Sequence, residues 1–156
     1  MAIFLQLRDW VNTAGLLLML SAAACATSPA PQVSALLPGQ ARIWFYRTWL
    51  PSESLNLANI DVNGVYFGSV ENGGAFYRDV PPGNYHIAPQ SFARDFNQDT
   101  NVGLVPGQQV YVKILDLTSW ANSVSVSRNI QRDSFYAWLI APQLAQVEIA
   151  RDHGGI

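Results

Sequence analysis

The sequence predicts an all-β protein: an antiparallel β-sandwich of about seven or eight strands with one short C-terminal helix. Short runs of aromatic and β-branched residues follow one another from Ala41 onward. Gly, Pro and Asn separate these runs every 8–12 residues or so, which is the spacing of strands and tight turns in a sandwich. Only the last apolar run, which begins at Pro142, has a helical spacing.

The first two predicted strand regions carry the clearest signals. Arg42–Trp49 is apolar on both faces, which indicates a central strand. The strands Ala58–Val62 and Val65–Val70 flank Asn63-Gly64. That dipeptide favours a two-residue type I′ turn, because both central residues of this turn need a positive φ. We therefore expect a tight hairpin at residues 58–70.

The rest of the body reads as strands with turns between them. Pro81–Gly83 predicts a turn in which Gly83 takes the left-handed conformation, and residues 94–101 read as a polar loop. Val110, Val112 and Ile114 alternate with polar or aromatic residues, as in a half-buried strand. The remaining predicted strands are Ala75–Val80, Asn84–Ala88, Gln109–Leu115, Ser123–Ser127 and Ser134–Ile140.

The predicted C-terminal helix covers Pro142–Ile149. Proline is favoured in the first turn of a helix, and the apolar residues Leu144, Val147 and Ile149 are expected to face the core. Residues 151–156 read as a frayed tail.

Composition excludes some classes of function. The chain has 156 residues, 49% hydrophobic and 13% charged, with a net charge of −2 and Lys113 as its only lysine. A nucleic-acid-binding protein needs a basic surface to neutralise phosphates, so nucleic acid is not expected as a partner. The same scarcity of basic residues argues against electrostatic docking on anionic lipids. Any membrane attachment is therefore expected to be covalent.

The N-terminus has the layout of a secretory signal peptide, which is expected to form a helix ahead of the sandwich. Arg8 precedes an apolar stretch at residues 10–20, and small residues lead to Cys25. Since Cys25 is the only cysteine, no intrachain disulfide and no multi-cysteine metal site can form. The following residues, 26–40, contain three prolines without apolar periodicity and read as an extended tether.

Ala22-Ala23-Ala24-Cys25 resembles the lipobox of bacterial lipoprotein precursors, with Ala22 where leucine is usual. The resemblance implies thioether lipidation of Cys25, cleavage before it and acylation of the new amine, which together give a stable anchor. By the same resemblance, Ala26 after the cysteine implies that the protein is located in the outer membrane. The resulting division is a signal peptide (1–24), a lipidated tether (25–40) and a β-sandwich domain (41–150). An ordinary secretory peptide cleaved after Ala24 and an uncleaved anchor are the alternatives.

Three segments, in this order, resemble a family of uncharacterised bacterial lipoproteins, a domain of unknown function. They are Ile43–Arg47, the turn-rich block Val62–His86, and Leu104–Val112 with its Gly107-Gln-Gln motif. The body is also similar to prealbumin-like sandwiches. The resemblance implies a fold and an envelope location but brings no activity.

Few residues point to chemistry. His86 and His153 are the only histidines, and they do not form a metal-ligand spacing. His86 reads as a hydrogen-bonded structural histidine, and Asp95 and Asp99 as solvated loop carboxylates rather than a loose cation site. We found no catalytic set, so no cofactor, metal or catalytic residue is predicted.

Aromatic residues and two arginines are the remaining candidates. Trp44 and Trp138 are expected in the core. Trp49 and Trp120 lie beside predicted loops, where they either bind a ligand or cap the core. Arg47 and Arg78 are expected to pair with carboxylates at strand ends.

The sequence thus favours a non-enzymatic envelope lipoprotein, bound to the membrane through lipid on Cys25 and acting as a binding or scaffolding module for an envelope protein or glycan. The alternatives are an envelope hydrolase or a small-ligand or metal carrier on the same sandwich. A third hypothesis is strand addition by a partner at the predicted edge Ser123–Ser127.

Overall fold

A computed structural model of the chain describes residues 33–91, 96–117, 119–121 and 130–153, with backbone only at 119–121, 130–132 and 153. The predicted signal peptide, Cys25 and the predicted strand Ser123–Ser127 lie outside these residues. The elements are β1 (Ala41–Tyr46), β2 (Ala58–Val62), β3 (Val65–Val70), β4 (Ala75–Val80), β5 (Gly83–Pro89), β6 (Thr100–Leu104), β7 (Gln109–Asp116), β8 (Ser119–Ala121), β9 (Ile130–Arg132), β10 (Phe135–Ile140) and α1 (Pro142–His153).

Two four-stranded sheets form a sandwich, which confirms the predicted fold class. Sheet A has the order β10-β7-β1-β4 and sheet B the order β3-β2-β5-β6, while β8 and β9 form a separate short pair. One pairing departs from the antiparallel pattern, because β1 and β7 run parallel, with Arg42 opposite Gln109. Every other pairing between the described strands is antiparallel.

The strand β1 lies at the centre of sheet A and is buried on both faces, as predicted. Ile43 and Phe45 point into the core between the sheets, where Phe45 contacts the rings of Phe67 and Phe76. Trp44 and Tyr46 point to the outer face of sheet A, under the helix. The strand ends at Tyr46 rather than at the predicted Trp49, because the chain beyond it turns into a loop tied down by Arg47.

The helix α1 covers the outer face of sheet A. Ala145 and Ile149 are buried against Trp44, Tyr46 and Tyr111. The predicted helix face was therefore wrong for two residues: Leu144 and Val147 are 53% and 66% exposed. The rings of Trp44, Tyr46 and Tyr111 lie directly below the helix, so a small side chain such as that of Ala145 packs against them. A further consequence is that β7 is covered on both faces rather than half-buried.

The helix also extends further than predicted, since residues 151–153 are helical instead of frayed. Its middle is fixed by Glu148, which accepts hydrogen bonds from Tyr46 Oη at 2.7 Å and Lys113 Nζ at 2.9 Å. Burial raises the pKa of Glu148, but these two hydrogen bonds outweigh it and hold the pKa below its ordinary value. In the described part of the chain, we found no helix long and apolar enough to cross a membrane.

The turns agree with the sequence at one site and differ at another. Asn63 and Gly64 have φ values of 51° and 77°, which confirms the hairpin turn. Gly83 was predicted in the left-handed region, but it begins β5 and pairs with Leu104. Its partner strand β6 overlaps the predicted polar loop. We attribute the missed strand to its position at a sheet edge, where only Leu104 is fully buried and the sequence can stay polar.

Candidate functional site

The loop between β1 and β2, residues 49–57, exposes four large apolar side chains. We call it the Trp49 loop. Trp49 is 57% exposed, Leu50 44%, Leu55 86% and Leu57 57%. Single exposed apolar residues are ordinary, but a group of them on one loop marks a candidate interaction surface.

The loop is held from below by Arg47, whose side chain is fully buried. Arg47 Nη1 donates a hydrogen bond to the carbonyl of Asn56 at 2.9 Å, and Nη2 donates to the carbonyl of Ser54 at 3.0 Å. Nη2 also lies 3.4 Å from Glu53 Oε2 and 3.7 Å from Asp116 Oδ2. One guanidinium therefore contacts three positions of the loop, Glu53, Ser54 and Asn56.

The electrostatics of this network follow from its burial. Asp116 has a fully buried side chain and that of Glu53 is 14% exposed, so the charge on Arg47 faces two carboxylates in a low-dielectric environment. Burial raises the pKa of Glu53 above its ordinary value, against the opposing effect of Arg47. The three groups form a structural cluster in which each charge depends on the others.

Further hydrogen bonds fix the two ends of the loop. Leu50 N–H donates to Asn72 Oδ1 at 3.0 Å, and Asn72 Nδ2 donates back to the carbonyl of Leu50 at 2.7 Å. Trp49 N–H donates to Asp152 Oδ2 at 2.8 Å, and Ser54 N–H donates to Asp116 Oδ2 at 3.1 Å. The backbone is thus anchored while the apolar side chains point outward. Such preorganisation reduces the entropy cost of binding a partner.

A groove of about 410 Å³ lies beside α1, on the outer face of sheet A. Trp44 Nε1 donates to Gln109 Oε1 at 3.1 Å, and Gln146 Nε2 donates to Tyr111 Oη at 3.0 Å. None of the described lining residues is a histidine, a carboxylate, a lysine or an arginine, so they offer polar contacts but no such group for acid–base chemistry. The lining residues are Val33, Trp44, Gln109, Tyr111, Gln146, Ile149 and Ala150.

A second, shallower groove of about 320 Å³ lies around His86. His86 Nε2 is 3.3 Å from Asp99 Oδ2, and the histidine side chain is 47% exposed. The backbone of His86 exchanges hydrogen bonds with Asn63, its N–H with Asn63 Oδ1 and its carbonyl with Asn63 N–H. Within the described ranges, no group of three or more His, Cys, Asp or Glu residues is placed to hold a metal ion.

The other predicted residues have separate outcomes. Trp49 is exposed, whereas only the backbone of Trp120 is described, and Cys25 and Asp95 lie outside the described residues. Trp44 is buried as expected, but Trp138 was wrongly placed in the core: it lies on the outer face of the edge strand β10 and is 51% exposed. Arg47 pairs with carboxylates as predicted. Arg78 lies over the Phe67 ring, 5.3 Å from its centroid.

Sequence reasoning did not single out Leu55 and Leu57. The available signal was a Leu-Asn-Leu segment inside a stretch that Pro51 marks as a loop.

Comparison with known proteins gives a family match and likenesses to solved structures. The family model described as a protein of unknown function, DUF2846, matches residues 38–128, which is more than half of the chain. No curated protein matches. Among solved structures, the chain is similar to the N-terminal domain of AlgF from P. aeruginosa, with 17% identity and a TM-score of 0.36. The likeness covers 66% of this chain and 98% of that one.

Proposed function

Because this chain belongs to the DUF2846 family of proteins of unknown function, we propose a role from its own residues: a lipid-anchored lipoprotein of the bacterial envelope that acts as a non-enzymatic binding or scaffolding module. We propose the outer membrane as its location, because Ala26 follows the lipidated cysteine. We also propose that the sandwich is prealbumin-like, as its two four-stranded sheets suggest.

The anchor is supported by the lipobox and by the path of the chain after it. Ser34 N–H donates to Tyr77 Oη at 3.1 Å, and Arg42 Nη1 donates to the Ser34 carbonyl at 2.8 Å. These bonds fasten the described part of the tether to the start of β1. Lipid on Cys25 would therefore hold the domain from this end.

The observation that carries the binding role is the position of the Trp49 loop at the opposite end of β1. A six-residue strand spans about 20 Å. The tether enters before Ala41, and the Trp49 loop follows Tyr46. An anchored domain of this kind presents its preorganised apolar loop away from the point of attachment, where a protein or glycan partner in the envelope can reach it.

Two charged clusters of the described region are engaged in internal contacts, which supports binding over catalysis. Arg47 holds the Trp49 loop with Glu53 and Asp116, and Lys113 and Tyr46 hold α1 through Glu148. The groove beside α1 favours one alternative, a carrier of a small uncharged ligand.

Intact mass and membrane fractionation of the wild type and Cys25→Ser test the anchor. We expect the wild type in the membrane fraction, heavier than residues 25–156 by the lipid, and the variant without the added mass. A photo-crosslinking residue at Leu55, with Val147 on α1 as the matched exposed control, tests the binding surface in cells. A soluble, unmodified wild type would refute the anchor, and equal crosslinking at both positions would refute the role of the loop.

A further inference from the structure

Three turns lie together at the end of the sandwich at which the tether enters, an end that also holds the Asn63-Gly64 turn and the connection from β10 to α1. They are residues 37–39, 81–83 and 105–107, and we call them the near end. The turns border one another: Gly107 N–H donates to the carbonyl of Gln40 at 2.8 Å, Ala41 pairs with Val80, and Gly83 pairs with Leu104. They make one continuous surface.

The near end is exposed and carries no charge. Each of its residues is exposed, and the set consists of Leu37, Pro38, Gly39, Pro81, Pro82, Gly83, Val105, Pro106 and Gly107. Leu37 and Val105 are 64% and 62% exposed. The charge closest to it in sequence is Asp79, which forms a two-bond ion pair with Arg42. Arg78, which is as close in sequence as Arg42, lies over the Phe67 ring. The other end of the sandwich, by contrast, carries four carboxylates, of which Glu71 is exposed and Glu53, Asp133 and Asp152 are half-buried.

The length of the tether confines the near end to the neighbourhood of the bilayer. Only residues 26–32 separate Cys25 from Val33, the first described residue. Seven fully extended residues reach at most about 25 Å. Since Leu37 follows Val33 by four residues, the near end can touch the lipid surface without a stretched tether.

We propose that the near end rests on the bilayer in which Cys25 is anchored, with Leu37 and Val105 inserted at the interface; this rests on the proposed lipidation of Cys25. An uncharged surface of apolar side chains and prolines avoids the cost of bringing charges towards hydrocarbon. The anchor makes the contact intramolecular, so that two apolar side chains suffice where a free domain would dissociate. The domain then stands with β1 pointing away from the membrane.

The test uses the purified lipidated full chain in phosphatidylcholine vesicles. Because lipid occupies Cys25, a single introduced cysteine is the only free thiol, and it is labelled with the environment-sensitive dye NBD. The variants are Leu37→Cys and Val105→Cys at the near end. Leu55→Cys in the Trp49 loop and Val147→Cys on α1 are the controls, and both native residues are highly exposed.

Nitroxide lipids with the spin label near the headgroup should quench the dye at positions 37 and 105, because an interfacial residue lies ~5–10 Å into that boundary. The dye at 55 and 147 should be quenched by aqueous iodide alone. Adding Leu37→Glu to the Val105→Cys variant should abolish the lipid quenching at 105. Iodide quenching at all four positions, or lipid quenching at 147, would overturn the proposal. Failure of the lipidation itself would appear differently, since the chain would not float with the vesicles.

Discussion

Arg47→Met tests how far the fold depends on the guanidinium beneath the Trp49 loop. Methionine keeps an unbranched apolar stem at a site where Arg47 lies over the ring of Phe135, 5.2 Å from its centroid. It removes the hydrogen bonds to the Ser54 and Asn56 carbonyls and leaves the carboxylates of Glu53 and Asp116 without their counter-charge. Removing one partner of a buried ion pair costs about 3–5 kcal/mol. We expect a loss of that size from a total stability of about 5–15 kcal/mol.

Urea unfolding of the full chain, followed by tryptophan fluorescence, measures this loss. Arg78→Met is the matched control, because Arg78 is exposed on β4 and surface substitutions usually change stability by less than about 0.5 kcal/mol. The triple variant Arg47→Met, Glu53→Gln, Asp116→Asn should recover part of the loss by neutralising both carboxylates. A single variant within about 1 kcal/mol of the wild type, or a triple variant less stable than the single one, would refute the electrostatic account.

Two other substitutions test the ion pair between Arg42 and Asp79 and the contact between Gly73 and Trp49. The hydrogen bond from Arg42 lowers the pKa of Asp79 below its ordinary value of 3.8, so Asp79 stabilises the folded state above that pH and the effect fades as pH falls through the lowered pKa. Asp79→Asn should therefore flatten the loss of stability below pH 3.8 in acid titrations, and an unchanged acid transition would contradict this. Gly73→Ala should destabilise the domain by about 1–3 kcal/mol, because Gly73 has a φ of 78° and its added Cβ would lie 3.0 Å from the Trp49 side chain. Gly107→Ala has a similar φ of 81° with open space around it, so equal losses in urea unfolding would show that Trp49 exerts no constraint.

Local chemistry determined the parts of the fold that the sequence predicts well. The hairpin at Asn63-Gly64 depends on two residues that accept positive φ, and the central position of β1 on an apolar run that no half-exposed strand would carry. The parallel pairing of β1 with β7 was not predictable in this way, because it joins segments far apart in the chain. The buried face of α1 depended on the rings of Trp44 and Tyr111 below it, which favour Ala145 over Leu144.

Contacts between segments far apart in the chain also determine the candidate site, and the sequence does not predict them. A loop at Pro51–Leu57 follows from Pro51 and from the end of the apolar run. The burial of Arg47 does not follow from the sequence. Its carboxylate partner Asp116 accepts a hydrogen bond from Ser54, which lies 62 residues earlier in the chain. Cys25 stays a prediction from the lipobox, and the roles of Trp49 and Trp120 in binding stay predictions as well.

The parallel pairing of β1 also has a consequence for how the chain reaches its native state. Among the described strands, β1 is synthesised first, yet Trp44 donates a hydrogen bond to Gln109, which follows it by 65 residues. Until β7 exists, β1 has β4 on one side and an open, strongly apolar edge on the other. Contacts of such high sequence separation slow folding and prolong the exposure of aggregation-prone strands. The apolar edge of β1 is therefore covered only after synthesis has reached the end of β7 at Asp116.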